Sequence, residues 1–320
     1  MSAVNVSEFA GNLLSDVVSN VLCVLLPVIL ALFVYQFRSR RRLRGFFGLS
    51  SGRGSTVQIR LSNIQIKSDG TSPSSEVEIS SSLIGSALLE SEYEHSLGLA
   101  GRIQSRPFVG SLFTLLELFN APRIDGPVTC RIGSSPGLAQ FADTNDPDTA
   151  LNLEVQRILR GQECLILVGS PVYNELTSYV LRHAGPDVMA EFGESDHEPG
   201  MFASAVMVRE GESDRAAWPR YERRLLKERD GRVVYEEYFL LQKLRDFPRK
   251  GRTVFICAGT SQAATAAALD TLSGWRSLVD EFGNRPFAIV GRVTTDDREL
   301  LRPGSVPSLR KPTRVLVEAR

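Results

Sequence analysis

An uncharged run, VVSNVLCVLLPVILALFVYQF, fills Val17 to Phe37, and the basic run RSRRRLR, Arg38 to Arg44, follows at once. At about 1.5 Å per residue a helix of this length spans roughly 30 Å, the thickness of a bilayer core. The run predicts one transmembrane helix carrying an independent domain. Its flanks argue against a cleavable signal peptide, which has positive charge before the apolar core and a small-residue cleavage site after it. Here Glu8 and Asp16 precede the run, no Lys or Arg does, and the cationic cluster stands where a cleavage site belongs. The positive-inside rule then puts residues 1–16 outside the cell and everything from Arg38 in the cytoplasm, a single-pass cell-membrane location. The lipid bilayer is the first expected partner. Anionic headgroups near Arg38 to Arg44 add about 1 kcal/mol per basic residue, although a solvated stop-transfer flank explains the same run.

Residues 38–55 read as a basic juxtamembrane linker, with Phe46 and Phe47 at headgroup level. The chain has 320 residues, and the remainder, 56–320, is long enough for one large α/β domain. Lys plus Arg is 37 and Asp plus Glu is 37, so the net charge is zero. A nucleic-acid binder usually needs a basic excess, and no such partner is expected. Cys23 lies in the expected anchor; Cys130, Cys164 and Cys257 lie in apolar strand-like runs and read as buried free thiols. No C-x-x-C and no His pair at ligand spacing is present, so no metal site is expected.

Strands are predicted at Val57–Ile66, Val128–Ile132, Glu163–Gly169, Ser204–Arg209, Arg232–Leu244, Thr253–Gly259, Pro286–Gly291 and Thr313–Ala319. Helices are predicted at Leu83–Gln104, Ser111–Phe119, Thr149–Arg160, Leu176–Arg182, Gln262–Thr271 and Gly274–Phe282. ECLILVG and TVFICAG are too continuously apolar for a sheet with one wet face. Such strands alternating with helices predict a Rossmann-like α/β domain with a mainly parallel, doubly wound sheet. Gly185–Gly200 and Gly211–Pro219 read as polar loop insertions.

Two strand-to-helix loops are the candidate ligand sites: Gly169, Ser170 and Asn174 in VGSPVYN, and Gly259, Thr260 and Ser261 in AGTSQ. Ligands of open α/β sheets bind outside the carboxyl ends of strands. Glycine there admits a phosphate to the backbone, and the helix start supplies free N–H groups. Ser, Thr and Asn at these positions also cap helices without any ligand, and the sequence leaves both readings open. Neither loop has G-x-G-x-x-G or a Walker A pattern, and no cofactor is implied. GSSPG, Gly133–Gly137, matches G-x-S-x-G around Ser135. The following Pro136 has no N–H for an oxyanion hole, so it reads as a turn. His95, His183 and His197 are scattered. Glu90, Glu92 and Glu94 cannot share one helix face, and Glu236 and Glu237 read as a solvated strand face.

The apolar run, its RRRLRGFFGL flank, V-G-S-P-x-x-N after one strand and A-G-T after another resemble bacterial membrane-anchored proteins with a Rossmann-like, SLOG-type cytosolic domain. The residues that match are Gly169, Ser170, Pro171, Asn174 and Gly259. The resemblance implies a module that senses a nucleotide or a related phosphorylated ligand. Phosphoribohydrolase relatives carry P-G-G-x-G-T-x-x-E, which has no counterpart here, so their activity is not carried over. N-glycosidic cleavage of a nucleotide and a non-catalytic scaffold remain the alternatives.

Overall fold

The computed structural model of the chain describes residues 23–28, 30–31, 34–35, 37–39, 41–49, 55–62, 92–104, 128–141, 143–161, 164–195, 205–211, 214–229, 232–296 and 313–319. The chain divides into two compact units, one of Met1–Arg44 with Arg106–Pro122, the other of Gly45–Ser105 with Arg123–Arg320.

In the first unit the described residues are helical, and Val24, Leu26, Leu30 and Tyr35 are exposed. The expected membrane anchor is corrected here: among the described residues no helix is long and apolar enough to cross a membrane. An absence of charge satisfies hydropathy, but a span also needs about 20 residues of sustained apolar helix. The described helical residues instead include Arg38, Arg41, Arg42 and Arg44. Positions 17–22, 29, 32, 33 and 36 of the expected span lie outside the described residues. The single-pass location and the topology inferred from the span fall with it.

The second unit carries the sheet. Its strands are β1 (Ser55–Leu61), β2 (Val128–Ser134), β3 (Cys164–Val168), β4 (Ala190–Gly193), β5 (Ala205–Val208), β6 (Arg220–Glu222), β7 (Arg224–Arg229), β8 (Arg232–Arg245), β9 (Thr253–Gly259), β10 (Phe287–Asp296) and β11 (Thr313–Ala319). The main sheet has the order β11-β10-β8-β9-β3-β1-β2, with β7 also on β8. Among the described residues only β2, β1, β3 and β9 pair in parallel. Strand β8 is antiparallel to β9, β7 and β10, and β10 to β11. The expected mainly parallel, doubly wound sheet is therefore corrected to a mixed one. Continuous apolar residues report burial on both faces, and burial does not set strand direction. β4, β5 and β6 form a separate antiparallel sheet, so part of the expected Gly185–Gly200 loop is a strand.

Successive side chains of a strand face opposite ways, and both faces of β3 and β9 are covered. On one side Leu165, Leu167, Leu240, Leu244, Val254 and Ile256 pack with α1 (Pro147–Gly161), α2 (Glu175–His183) and Phe192, Val206 and Val208 of the small sheet. Helix α1 presents Val155, Ile158 and Leu159 at i, i+3, i+4, with Asp148 in its first turn and Arg160 in its last, each favourable to the helix dipole. The other side carries α3 (Gln262–Ser273), α4 (Trp275–Phe282) and an aromatic cluster. Phe46 and Phe47, expected at headgroup level, belong to that cluster: both are fully buried, with rings 5.3 Å from the Phe255 ring. Leu83–Gln104 is described as helical over residues 92–104; residues 63–66 and Ser111–Phe119 lie outside the described residues.

Candidate functional site

The strand order reverses between β1 and β3: the chain leaves β1 toward β2 on one side, and β3 is followed in the sheet by β9 on the other. In open α/β sheets the crevice at the carboxyl ends of such strands is where ligands bind. Here Ser62 follows β1, Gly169 and Ser170 follow β3, and Glu92 stands at the start of the 92–104 helix. The Glu92 carboxylate takes two bonds from one residue: Ser62 N donates to Oε2 (3.0 Å) and Ser62 Oγ to Oε1 (2.9 Å). Val168 O is a longer second acceptor for that hydroxyl, at 3.3 Å. Glu92 is 6% exposed, and burial pushes its carboxyl up to about 7 against the opposing pull of the two Ser62 bonds. Strongly shifted titratable groups concentrate at functional sites, which makes Glu92, at the strand ends, the candidate here.

Gly169 serves this arrangement directly. Its φ is +102°, and a Cβ there would lie 1.9 Å from Ser62 Oγ and 3.4 Å from Glu92 Oε1. Only glycine lets β3 turn away beneath the Ser62–Glu92 pair. Ser170 is 6% exposed, and its carbonyl accepts from Tyr173 N (3.1 Å) and Asn174 N (3.0 Å). Val172 and Tyr173, on the same loop, are 44% and 50% exposed.

The other expected site residues are used by the fold. Asn174 is fully buried: Nδ2 donates to Val168 O (2.7 Å) and Arg60 O (3.1 Å), and Oδ1 accepts from Thr177 N (3.2 Å). One side chain thus caps α2 and ties it to the ends of β1 and β3. A Cβ on Gly259 would fall 2.4 Å from Ala264 Cβ and 2.5 Å from the Thr265 nitrogen, so the missing Cβ is what lets α3 approach β9. Thr260 continues the β9–β8 pairing: its N–H donates to Tyr238 O (2.9 Å) and its Oγ1 accepts from Tyr238 N (3.1 Å). Ser261 Oγ caps α3 by accepting from Ala264 N (3.1 Å) and donates to Glu237 Oε2. The two expected loops therefore do not contribute equally. Gly169 and Ser170 border the β1–β3 strand ends, whereas Gly259, Thr260 and Ser261 are spent on β8 and α3.

Glu236 and Glu237, expected on a solvated face, are buried. Glu236 accepts from Arg224 Nε (2.7 Å), Tyr238 OH (2.6 Å) and Arg292 Nη1 (3.1 Å). Burial and the Glu236 bond push the Tyr238 phenol up to about 12. Glu237 Oε1 lies 3.2 Å from Arg223 Nε. These are paired charges with structural roles. Ser135 is buried, and its Oγ lies 3.5 Å from Leu176 N as acceptor. His95 Nδ1 is 3.2 Å from Asp270 Oδ1, and His183 Nδ1 is 2.8 Å from Tyr179 O. His197, Glu90 and residues 196–200 lie outside the described residues. Cys130, Cys164 and Cys257 are free thiols; burial pushes the Cys130 thiol up to about 12 and raises that of Cys257 further. Among the described residues no three His, Cys, Asp or Glu side chains are placed to hold a metal ion.

Sequence reasoning missed Glu92 and Ser62. The predicted strand Val57–Ile66 runs through Ser62, and only the structure ends β1 at Leu61 and leaves Ser62 at its carboxyl end. Glu92 carries no local signal, since about 30 residues separate it from its partner. Comparison with family models, with curated proteins and with solved structures finds no match for the chain.

Proposed function

We propose that the chain binds a nucleotide-class ligand at the carboxyl ends of β1 and β3, as a sensor or effector module. The observation that carries this reading is the Glu92 carboxyl, held by Ser62 at the point where the strand order reverses. A carboxylate accepts hydroxyl hydrogens, so the sugar of the ligand faces Glu92 and the phosphates lie further out. Tyr173, half exposed on the adjoining loop, offers a flat face for a base. The helix start behind that loop already holds the Asn174 cap and Glu175 in its first turn, which disfavours a phosphate there. One observation favours a second reading, N-glycosidic cleavage: a carboxyl with its pKa near 7 is suited to general acid–base work.

The test is a thermal-shift screen of the full chain with mono-, di- and cyclic nucleotides and NAD, followed by titration of any hit. A ligand at 100 times its Kd stabilises by about 2.7 kcal/mol, a readable shift in Tm. Glu92→Gln is expected to weaken the hit about tenfold or more, the worth of a bond to a charged group. Tyr173→Ala should cost about 1–3 kcal/mol if a base stacks on the ring. Chromatography of the same mixtures separates the two readings, because released free base identifies turnover. Unchanged melting with every nucleotide overturns both.

A further inference from the structure

Arg252 immediately precedes β9, where the β8–β9 hairpin closes at the opposite end of the sheet from Glu92. It is 2% exposed, and among the described residues no hydrogen-bond acceptor meets its Nε, Nη1 or Nη2 atoms. Burial lowers its pKa to about 10, which still leaves the guanidinium charged at neutral pH. A buried charge without a partner is among the costliest arrangements a fold can hold, and buried charges are ordinarily paired.

The turn's one carboxylate, Asp246, gives the guanidinium no hydrogen bond. Asp246 Oδ1 accepts from Gly251 N at 2.6 Å. The backbone of Arg252 is committed as well, its carbonyl accepting from Asp246 N (2.7 Å) and its N–H donating to Arg249 O (3.3 Å). The neighbouring charges have the same sign: Arg249 acts on Arg252, and Arg245 acts on Lys243. Lys243, on β8, is fully buried; its Nζ has no acceptor and sits 4.3 Å from the centre of the Phe46 ring. The Cα of Cys164, at the start of β3, pairs with that of Thr253 beside Arg252. Lys243 lies further along the hairpin, its Cα paired with that of Phe255, three residues beyond Arg252.

We propose that Arg252 binds a phosphate-class oxyanion at the foot of the β8–β9 hairpin. A guanidinium presents five N–H donors in a planar fork, which two oxygens of one anion satisfy together. Chloride offers no such pair of atoms. A carboxylate offers the pair but only one negative charge against Arg252 and the neighbouring Arg249, whereas a phosphate dianion supplies two. Inorganic phosphate and the phosphate of a small ester share this chemistry.

The experiment measures Tm of the full chain against inorganic phosphate, with chloride at matched ionic strength as the reference, and repeats it with glycerol phosphate. The expected result is a saturable upward shift with phosphate that chloride does not reproduce. Arg252→Met should lose the saturable shift entirely. Without phosphate, Arg252→Met should melt no lower than the wild type, because it removes an unpaired charge. A glycerol phosphate shift equal to that of phosphate assigns the site to an ester; a shift with phosphate alone assigns it to the free ion. Equal phosphate shifts in the wild type and Arg252→Met overturn the proposal. If Arg252→Met does not fold, calorimetric titration of the wild type with phosphate decides, and no saturable heat overturns it. Glu92→Gln retains the phosphate shift, which separates this site from the nucleotide-class one.

Discussion

At Gly169 three constraints meet in one residue. The positive φ excludes most side chains, the missing Cβ leaves room for Ser62 Oγ, and that hydroxyl holds Glu92. Gly169→Ala is expected to destabilise by about 2–4 kcal/mol, combining backbone strain with the contact at Ser62. In a Ser62→Ala background part of that loss should return, because the hydroxyl oxygen at 1.9 Å is gone. Additive losses in chemical denaturation of the double variant would show that the backbone alone demands glycine. The sequence marked Gly169 as special for a different reason, approach of a phosphate. It marked Asn174 in the same loop, and that side chain caps α2.

Connection length is the element-scale clue that local patterns obscure. Strands β8 and β9 are joined by residues 246–252, too few for the crossover that a parallel pair requires. Between the paired Arg229 and Arg232 the sequence reads Asp230–Gly231, a familiar hairpin dipeptide. Both signals point to antiparallel pairing, and both are weaker to the eye than the apolar runs. Helix α3 has the opposite character. Its composition, QAATAAALDTLS, allows burial on nearly every side, and a glycine beneath it sets how close it comes. Gly259→Ala should therefore push α3 off β9 and cost about 1–3 kcal/mol, the usual range for overpacking. Circular dichroism would show α3 retained at low temperature and the Tm lowered; an unchanged Tm would mean that the helix shifts freely.

Over the whole molecule, two buried ionisable groups give stability an unusual pH dependence. The Glu92 carboxyl is raised from 4.5 to about 7, so between those values the unfolded chain holds fewer protons than the folded one. Stability then falls as pH rises through that window, by at most about 1.4 kcal/mol per unit. Lys243 is lowered from 10.5 to about 7, chiefly by burial, so above 7 the unfolded chain holds more protons. Stability rises there with a similar limiting slope. Together the two groups contribute a minimum near neutrality. Subtracting the denaturation profiles of Glu92→Gln and Lys243→Met from that of the wild type isolates each limb. A Glu92→Gln difference that stays flat between pH 4.5 and 7 would refute the raised carboxyl.

The amino-acid pattern by itself determined that the chain forms an α/β sheet, where β3 and β9 lie, and which residues of VGSPVYN turn from strand to helix. These follow from side-chain periodicity and from the conformational limits of Gly, Asn and Ser, all of which act over a few residues. Tertiary structure alone decided that β8 enters antiparallel and that Phe46 and Phe47 are core. It alone brought Glu92 to Ser62, and left Arg252 and Lys243 buried without acceptors. Each of those depends on contacts between residues far apart in the chain, where burial and charge pairing have no local spelling.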